Sequence, residues 1–226
     1  MGAIPLWKTL SCFAITVVTA VLVTLIAGKI YKSLVLYKGE PLKLNKLIKD
    51  DERLIMNETL KTILTRRSVR SFQSRKIERP DLELILKAAT YAPSGMNRQT
   101  WQFTAVTDRD EIRKLAKLIE AEMDREGYDF YDPAVLIIPS NERDSRWGPE
   151  DNACALENIF LAAWSLGIGS VWTNQVREVC DRPEVRDLLR KWGIPDTHVV
   201  YGTAALGYPT ESCLKEVEKR GVIRII

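Results

Sequence analysis

The chain has 226 residues, 46% of them hydrophobic and 28% charged, a balance that argues against disorder and for a globular protein. A net charge of +3, mixed along the sequence, gives no reason to expect a nucleic acid partner. The four cysteines (Cys12, Cys154, Cys180 and Cys213) are scattered without a C-x-x-C, and with His198 as the single histidine they form no zinc ligand set. No metal is expected.

The first element in the chain is "TLSCFAITVVTAVLVTLIAG", Thr9 to Gly28, an uncharged run of the length a helix needs to cross a bilayer. A cleaved signal peptide is the rival reading, but that wants a shorter apolar core and a small-x-small cleavage site. Lys29, Lys32, Lys38, Lys43 and Lys46 follow the run. The positive-inside rule then puts the C-terminal bulk in the cytoplasm. The organisation expected is a membrane anchor over residues 1–30, a basic juxtamembrane linker over 31–56 and a globular domain over 57–226.

In the globular part, Leu60, Ile63 and Leu64 recur at helical spacing after Asn57, a plausible N-cap. A second helix opens on Pro80 with an acidic first turn, buries Leu82, Ile85, Leu86 and Ala89, and must stop near Ala92 because Pro93 follows. "WQFTAV" reads as a strand. Asp108 and Glu111 mark a capping-box-like start for a helix expected to run to Gly127. "AVLIIP" reads as a strand covered on both faces. Pro149 begins a helix that is apolar on nearly every side beyond Asn152, which suits a core or an interface. "SVWT" is a short strand, "PEVRDLLRKWG" a helix closed by Gly193, and "HVVYGTAALG" a single strand. Helices and strands alternate, so a sheet flanked by helices is the expected architecture.

Two stretches stand out chemically. "TRRSVRSF", Thr65 to Phe72, has three arginines in five positions and no acidic residue. If the first helix persists, Arg66 and Arg70 share a face at i, i+4 while Arg67 points away. Guanidinium groups this close suit a phosphate, through charge-assisted bidentate bonds; a solvated basic face is the alternative. "YAPSGMNRQTWQF", Tyr91 to Phe103, packs Ser94, Asn97 and Gln99 into a Pro-Gly loop. Its donors and acceptors can match the edge of a flat heterocycle, or simply satisfy their own turn. "GIGS" at Gly167 follows a helix, not a strand, and is no dinucleotide fingerprint.

"RRSVRSF" and "APSGMNRQTWQF", followed by "ENIFLAAWSLGIGSVW" and "ALGYP", resemble the nitroreductase family of FMN-dependent oxidoreductases, in the right order from about Thr65 to the C-terminus. The resemblance implies an α+β fold with a mixed central sheet flanked by helices, to which this chain adds an N-terminal transmembrane helix. It also implies a homodimer with FMN at the subunit interface, electrons from NADH or NADPH, and a small electron-poor acceptor such as a nitroaromatic or a quinone. By the family pattern Arg66, Arg67, Ser68 and Arg70 would contact the FMN phosphate, ribityl chain and flavin edge. Pro93, Ser94, Asn97 and Gln99 would lie by the flavin, Thr173 near its N5, and Arg220 (or Lys219) would complete the phosphate site. A specialised member, such as a reductive dehalogenase or flavin-fragmenting enzyme, and a non-catalytic membrane-tethered flavin-binding sensor or adaptor are the alternatives.

Thr100 replaces the proline usual after the glutamine, and Tyr128, Phe130 and Tyr131 in "GYDFYD" are the only aromatic cluster available for a lid. No acid–base pair or triad is evident, so no catalytic side chain is assigned; a flavin carries hydride chemistry itself. Arg70 is the candidate for stabilising charge near the flavin N1 and O2, and His198 reads as structural. The helix from Ala153 to Leu166 is expected to supply much of a dimer core, with Val222 to Ile226 packing on the other protomer.

Overall fold

The computed structural model describes residues 16–21, 23–24, 57–210 and 220–226. The chain divides into two units, Met1–Met56 and Asn57–Ile226. Of the first, residues 16–21 and 23–24 are helical. Among the described residues no helix is long and apolar enough to cross a membrane. That overturns the expected transmembrane anchor and the membrane localisation drawn from it. The rest of the Thr9–Gly28 run and the linker at 31–56 lie outside the described residues.

Among the described residues the second unit has six helices, five strands and a 3-10 turn, in the order α1 (Glu58–Thr65), α2 (Arg79–Thr90), the turn Gly95–Asn97, β1 (Trp101–Val106), α3 (Arg109–Met123), β2 (Val135–Glu142), α4 (Gly148–Ser165), β3 (Gly169–Thr173), α5 (Gln175–Val179), α6 (Pro183–Lys191), β4 (His198–Val200) and β5 (Thr203–Gly207). Several starts follow local chemistry. Asn57 caps α1, its side chain accepting from Thr59 N at 2.8 Å. Asp108 caps α3 by accepting from Asp110 N at 2.8 Å. Proline stands in the first turn of α2, α4 and α6, where a missing N–H costs nothing.

The sheet runs β1-β2-β5-β3, with β4 pairing the far end of β2. All these ladders are antiparallel. The mixed sheet expected from the resemblance is therefore corrected: among the described residues the parallel element is a lone bridge, Ser68 to Ser170. The single strand expected over "HVVYGTAALG" is two, because the chain breaks at Tyr201 and Gly202. Helix α3 ends at Met123, where Asp124 turns left-handed (φ 48°), short of Gly127.

Alternate residues of the central strands feed two cores, as the period of two dictates. Leu136, Ile138 and Ala205 pack with Ile112, Leu115 and Ile119 of α3, Val176 and Val179 of α5 and Leu189 of α6. Val135, Ile137, Ala204 and Leu206 pack on the other side with Ile85 and Ala89 of α2 and Leu156, Ile159 and Ala163 of α4. Phe130 is fully buried in the first core, with the Tyr128 ring edge-on at 4.8 Å. The Tyr128 hydroxyl donates to Gln175 Oε1 at 3.0 Å, and burial raises its phenol well above the ordinary range. Phe130 thus lies in the core and Tyr128 packs against it, so of the "GYDFYD" aromatics Tyr131 alone is exposed.

An ion-pair cluster closes the α5–α6 end. Asp181 accepts from Arg143 Nη2 at 2.8 Å and from Arg186 Nη2 at 2.6 Å. Arg186 is buried, so it depends on this partner. The Arg143 bond first, then Arg186, holds the Asp181 carboxyl well below the usual carboxylate range. A carboxyl depressed on folding adds stability above its unfolded pKa of about 4 and loses it as pH falls toward the folded value. Asp181→Asn is expected to cost about 1–2 kcal/mol at pH 7, a modest figure because the group is half exposed and screened. In thermal melts the gap from wild type should close as pH is lowered from about 4 toward 2. Equal melting temperatures at pH 7 would show that the cluster adds nothing.

Candidate flavin and acceptor site

The arginine segment does not continue α1. The helix stops at Thr65, and Arg66 is extended at φ −57°, ψ 141°. The segment then runs along the sheet edge at β3. Val69 N donates to Ser170 O at 2.9 Å, Gln73 N to Tyr208 O at 2.8 Å, and Thr210 N to Ser71 O at 3.1 Å. Val69 is fully buried and lies against Gly169, where a Cβ would come within 2.7 Å of it. A β-branched residue anchored on a sheet edge thus overrides the helical spacing. The helical i, i+4 pairing of Arg66 with Arg70 is corrected: the run spreads along an extended segment instead.

The cations are not left to repel one another. Arg66 Nε lies 3.3 Å from Glu157 Oε1 on α4, with its guanidinium carbon 5.9 Å from the Phe160 ring centroid. Arg67 sits over Trp164 at 5.9 Å and donates to Thr65 O at 3.4 Å. A guanidinium has five donors, so Arg66 keeps Nη groups for a further anion. Ser68 and Arg70 are exposed. Beside Ser68, the Ser170 hydroxyl is buried with no hydrogen-bond partner.

The "PSGMNRQT" loop stands at the other end of α4. Gly95 N donates to Asp151 Oδ1 at 2.8 Å. Thr100 Oγ1 donates to Asn141 Oδ1 at 2.6 Å. Gly95 lies against the face of Trp147, where a Cβ would come within 2.5 Å of the ring. Met96, Asn97 and Gln99 all have positive φ, at 54°, 54° and 53°. This left-handed backbone is unusual for residues other than glycine and asparagine. Pro93, Asn97 and Gln99 are exposed, and Gln99 Nε2 donates to Asn97 Oδ1 at 2.7 Å. Two side-chain amides are thereby held side by side at the surface.

The remaining expected residues are placed differently. Thr173 is buried, its hydroxyl 2.5 Å from that of Thr203. Arg220 begins the exposed terminal stretch 220–226. His198 lies 3.1 Å by Nδ1 from the buried Ser140 hydroxyl, and burial lowers its pKa, as suits a neutral structural histidine. Sequence reasoning missed Asp151, Asn141, Trp147 and Glu157. Asp151 and Glu157 were visible only as polar positions on an apolar helix, with nothing in the sequence to connect them to segments far away in the chain.

The sequence profile of the nitroreductase family matches residues 63–208. The chain belongs to the nitroreductase family. A relative from Archaeoglobus fulgidus, provisionally named NADH dehydrogenase/NAD(P)H nitroreductase, is 37% identical over 165 residues, 69% of this chain and 88% of that protein. A relative of the same provisional name from Methanothermobacter thermautotrophicus is 33% identical over 166 residues, covering 72% of this chain and 83% of that protein. Among solved structures, a nitroreductase with bound FMN from Bacteroides fragilis superposes with a TM-score of 0.72 at 43% identity, covering 76% of this chain and 100% of that one. The matched stretch of the chain contains the arginine segment from Arg66 and the whole loop that carries the Asn97 and Gln99 amides.

The close approach at Gly95 gives a direct check on the loop. Gly95→Ala must displace the Trp147 ring or the loop, at an expected cost of about 1–3 kcal/mol. A shifted tryptophan emission with a lowered melting temperature is the expected result. An unchanged spectrum and melt would show that the ring does not fix the loop.

Proposed function

We propose that residues 57–226 form an FMN-dependent oxidoreductase domain that moves hydride from NADH or NADPH to an electron-poor acceptor, such as a nitroaromatic or a quinone. The observation that carries this is the extended arginine segment beside the orphaned, buried Ser170 hydroxyl, within the stretch matched by the family profile. Bound FMN would supply the hydride-transfer centre. The residues present fit such a group: cations for a phosphate, serine hydroxyls for a polyhydroxylated chain, and paired amides for the edge of a flat ring.

Within that reading each residue has a stated task. Arg66 and Arg67 hold the phosphate, steadied from behind by Glu157, Phe160 and Trp164. Ser68 and Ser170 offer hydroxyls beside it. Arg70 supplies positive charge where negative charge develops on the ring. Pro93, Ser94, Asn97 and Gln99 form the ring-side loop, and Arg220 completes the phosphate site. Thr173, its hydroxyl engaged with Thr203, stands at β3 near where the resemblance puts the flavin N5.

A homodimer is part of the same reading. The apolar residues Leu60, Ile63 and Leu64 of α1 are exposed, as are Val222, Ile223, Ile225 and Ile226. A second copy would cover such faces, with the flavin at the shared interface as the resemblance implies. One stripe of α4 (Ala155, Leu156, Ile159, Phe160 and Ala163) is buried within one chain, while Leu161 and Trp164 are half-buried and Leu166 is exposed, which leaves apolar surface on the other side of the helix for the dimer core expected of it.

The test is optical. Purified protein reconstituted with FMN should be yellow and should bleach on addition of NADH or NADPH without oxygen, then recover with a nitroaromatic. A yellow protein that never bleaches is a binding module, and one that takes up no FMN overturns the proposal. Arg66→Ala or Arg67→Ala should each weaken FMN binding by about 1.5–3 kcal/mol, roughly ten- to a hundredfold. Deleting residues from Gly221 onward should reduce both dimerisation, by light scattering, and flavin retention; a truncated protein that stays a yellow dimer would remove the tail from the interface.

A further inference from the structure

Four hydrogen bonds lie within the amide loop and move with it. Asn97 N donates to Ser94 O at 2.9 Å and Arg98 N to Gly95 O at 3.2 Å. Gln99 N donates to Ser94 Oγ at 3.2 Å, and Gln99 Nε2 to Asn97 Oδ1 at 2.7 Å. They shape the loop but do not place it. Two others tie it to the frame: Gly95 N to Asp151 Oδ1, and Thr100 Oγ1 to Asn141 Oδ1.

The loop needs such ties. Each non-glycine residue in left-handed backbone costs about 1–2 kcal/mol, and Met96 and Gln99 lack even asparagine's local compensation. Strain of this kind persists only where the surroundings over-determine it. Asp151 is suited to do so. It is 4% exposed, in the first turn of α4, where the helix dipole favours a negative charge. Its neighbour Asn152 pins the same turn to β2, donating to Pro139 O at 3.3 Å. A backbone N–H donating to an ionised carboxylate makes a bond about twice as strong as a neutral one.

We propose that Asp151 is a positioning residue: by holding the Gly95 N–H it sets where the Asn97 and Gln99 amides meet the flavin ring, and so tunes the reduction potential and the affinity for the acceptor. Thr100, standing where the family pattern has proline, supplies the second tie through its hydroxyl instead of through a fixed φ. The proposal rests on the FMN reading above.

Three variants of the full chain test it. Asp151→Ala removes the acceptor, Asp151→Asn keeps a carbonyl oxygen in the same place, and Asp151→Glu keeps the charge but moves it by one methylene. Amide exchange at Gly95, flavin reduction potential, and acceptor KM against kcat are measured for each. Asp151→Ala is expected to exchange at Gly95 roughly tenfold faster or more, with a shifted potential and a raised acceptor KM; Asp151→Asn should restore all three toward wild type. Should Asp151→Ala fail to fold, Asp151→Glu carries the test through the same shift in potential and KM. Faster exchange in Asp151→Ala with wild-type potential and KM would overturn the role and leave Asp151 structural. Unchanged values in Asp151→Glu, or unchanged exchange in Asp151→Ala, would overturn it as well. Wild-type protein that takes up no FMN fails the underlying reading instead, a result separable from the variants because Gly95 exchange is measured without flavin.

Discussion

Helix α4 lies against Val135 and Ile137 of β2 and Ala204 and Leu206 of β5, with α2 packed alongside, and this burial orders the site at both ends. Leu156, Ile159 and Phe160 are at most 4% exposed. At about 1.5–3 kcal/mol each, those three side chains outweigh any single polar tie on the helix, worth about 1–3 kcal/mol. The apolar packing therefore fixes the axis and azimuth of α4. Asp151 and Glu157 are carried into place by it, one toward the amide loop and the other toward Arg66. Ala204 of β5 matters here, because a small side chain on the sheet lets the helix approach closely.

Much of this was legible where a signal was local. Asn57, Asp108 and the prolines at 80, 149 and 183 mark helix starts by chemistry that acts within a turn, and those starts are where the structure has them. The identity of the two motifs was also legible, since a run of arginines and a run of small polar residues survive in any backbone. What failed depended on contacts distant in sequence. Arg66 leaves the helix because Val69 finds Gly169 and Ser170, about a hundred positions on, and no glycine or proline announces the break. The division of β4 from β5 falls at Gly202, against which the Trp172 indole packs, and a lone glycine inside a strand-like run does not by itself show whether the strand bends or ends. Helix α5 has five residues, fewer than periodicity needs. Phe130 could not be placed from its sequence context: an aromatic cluster reads alike whether it caps a ring or fills a core.

The arginine segment also shows how like charges are kept together. Glu157 neutralises part of Arg66, and the faces of Phe160 and Trp164 each add about 0.5–1 kcal/mol of cation–π attraction at partly exposed sites. Backbone bonds to Ser170 and Tyr208 keep the segment from relaxing along the surface.

The bond between Gln99 and Asn97 bears on selectivity. A guest that enters by displacing it must offer a donor for one amide and an acceptor for the other at matching spacing, and then the number of hydrogen bonds is conserved. A guest with an apolar rim leaves both amides without partners, and each desolvated group costs about 1–3 kcal/mol. If flavin or acceptor meets the loop here, the pair would act as a filter whose threshold is set before any ligand arrives. It would reject by subtraction, and so would discriminate most sharply between molecules of the same size and flatness that differ only in the polarity of one edge.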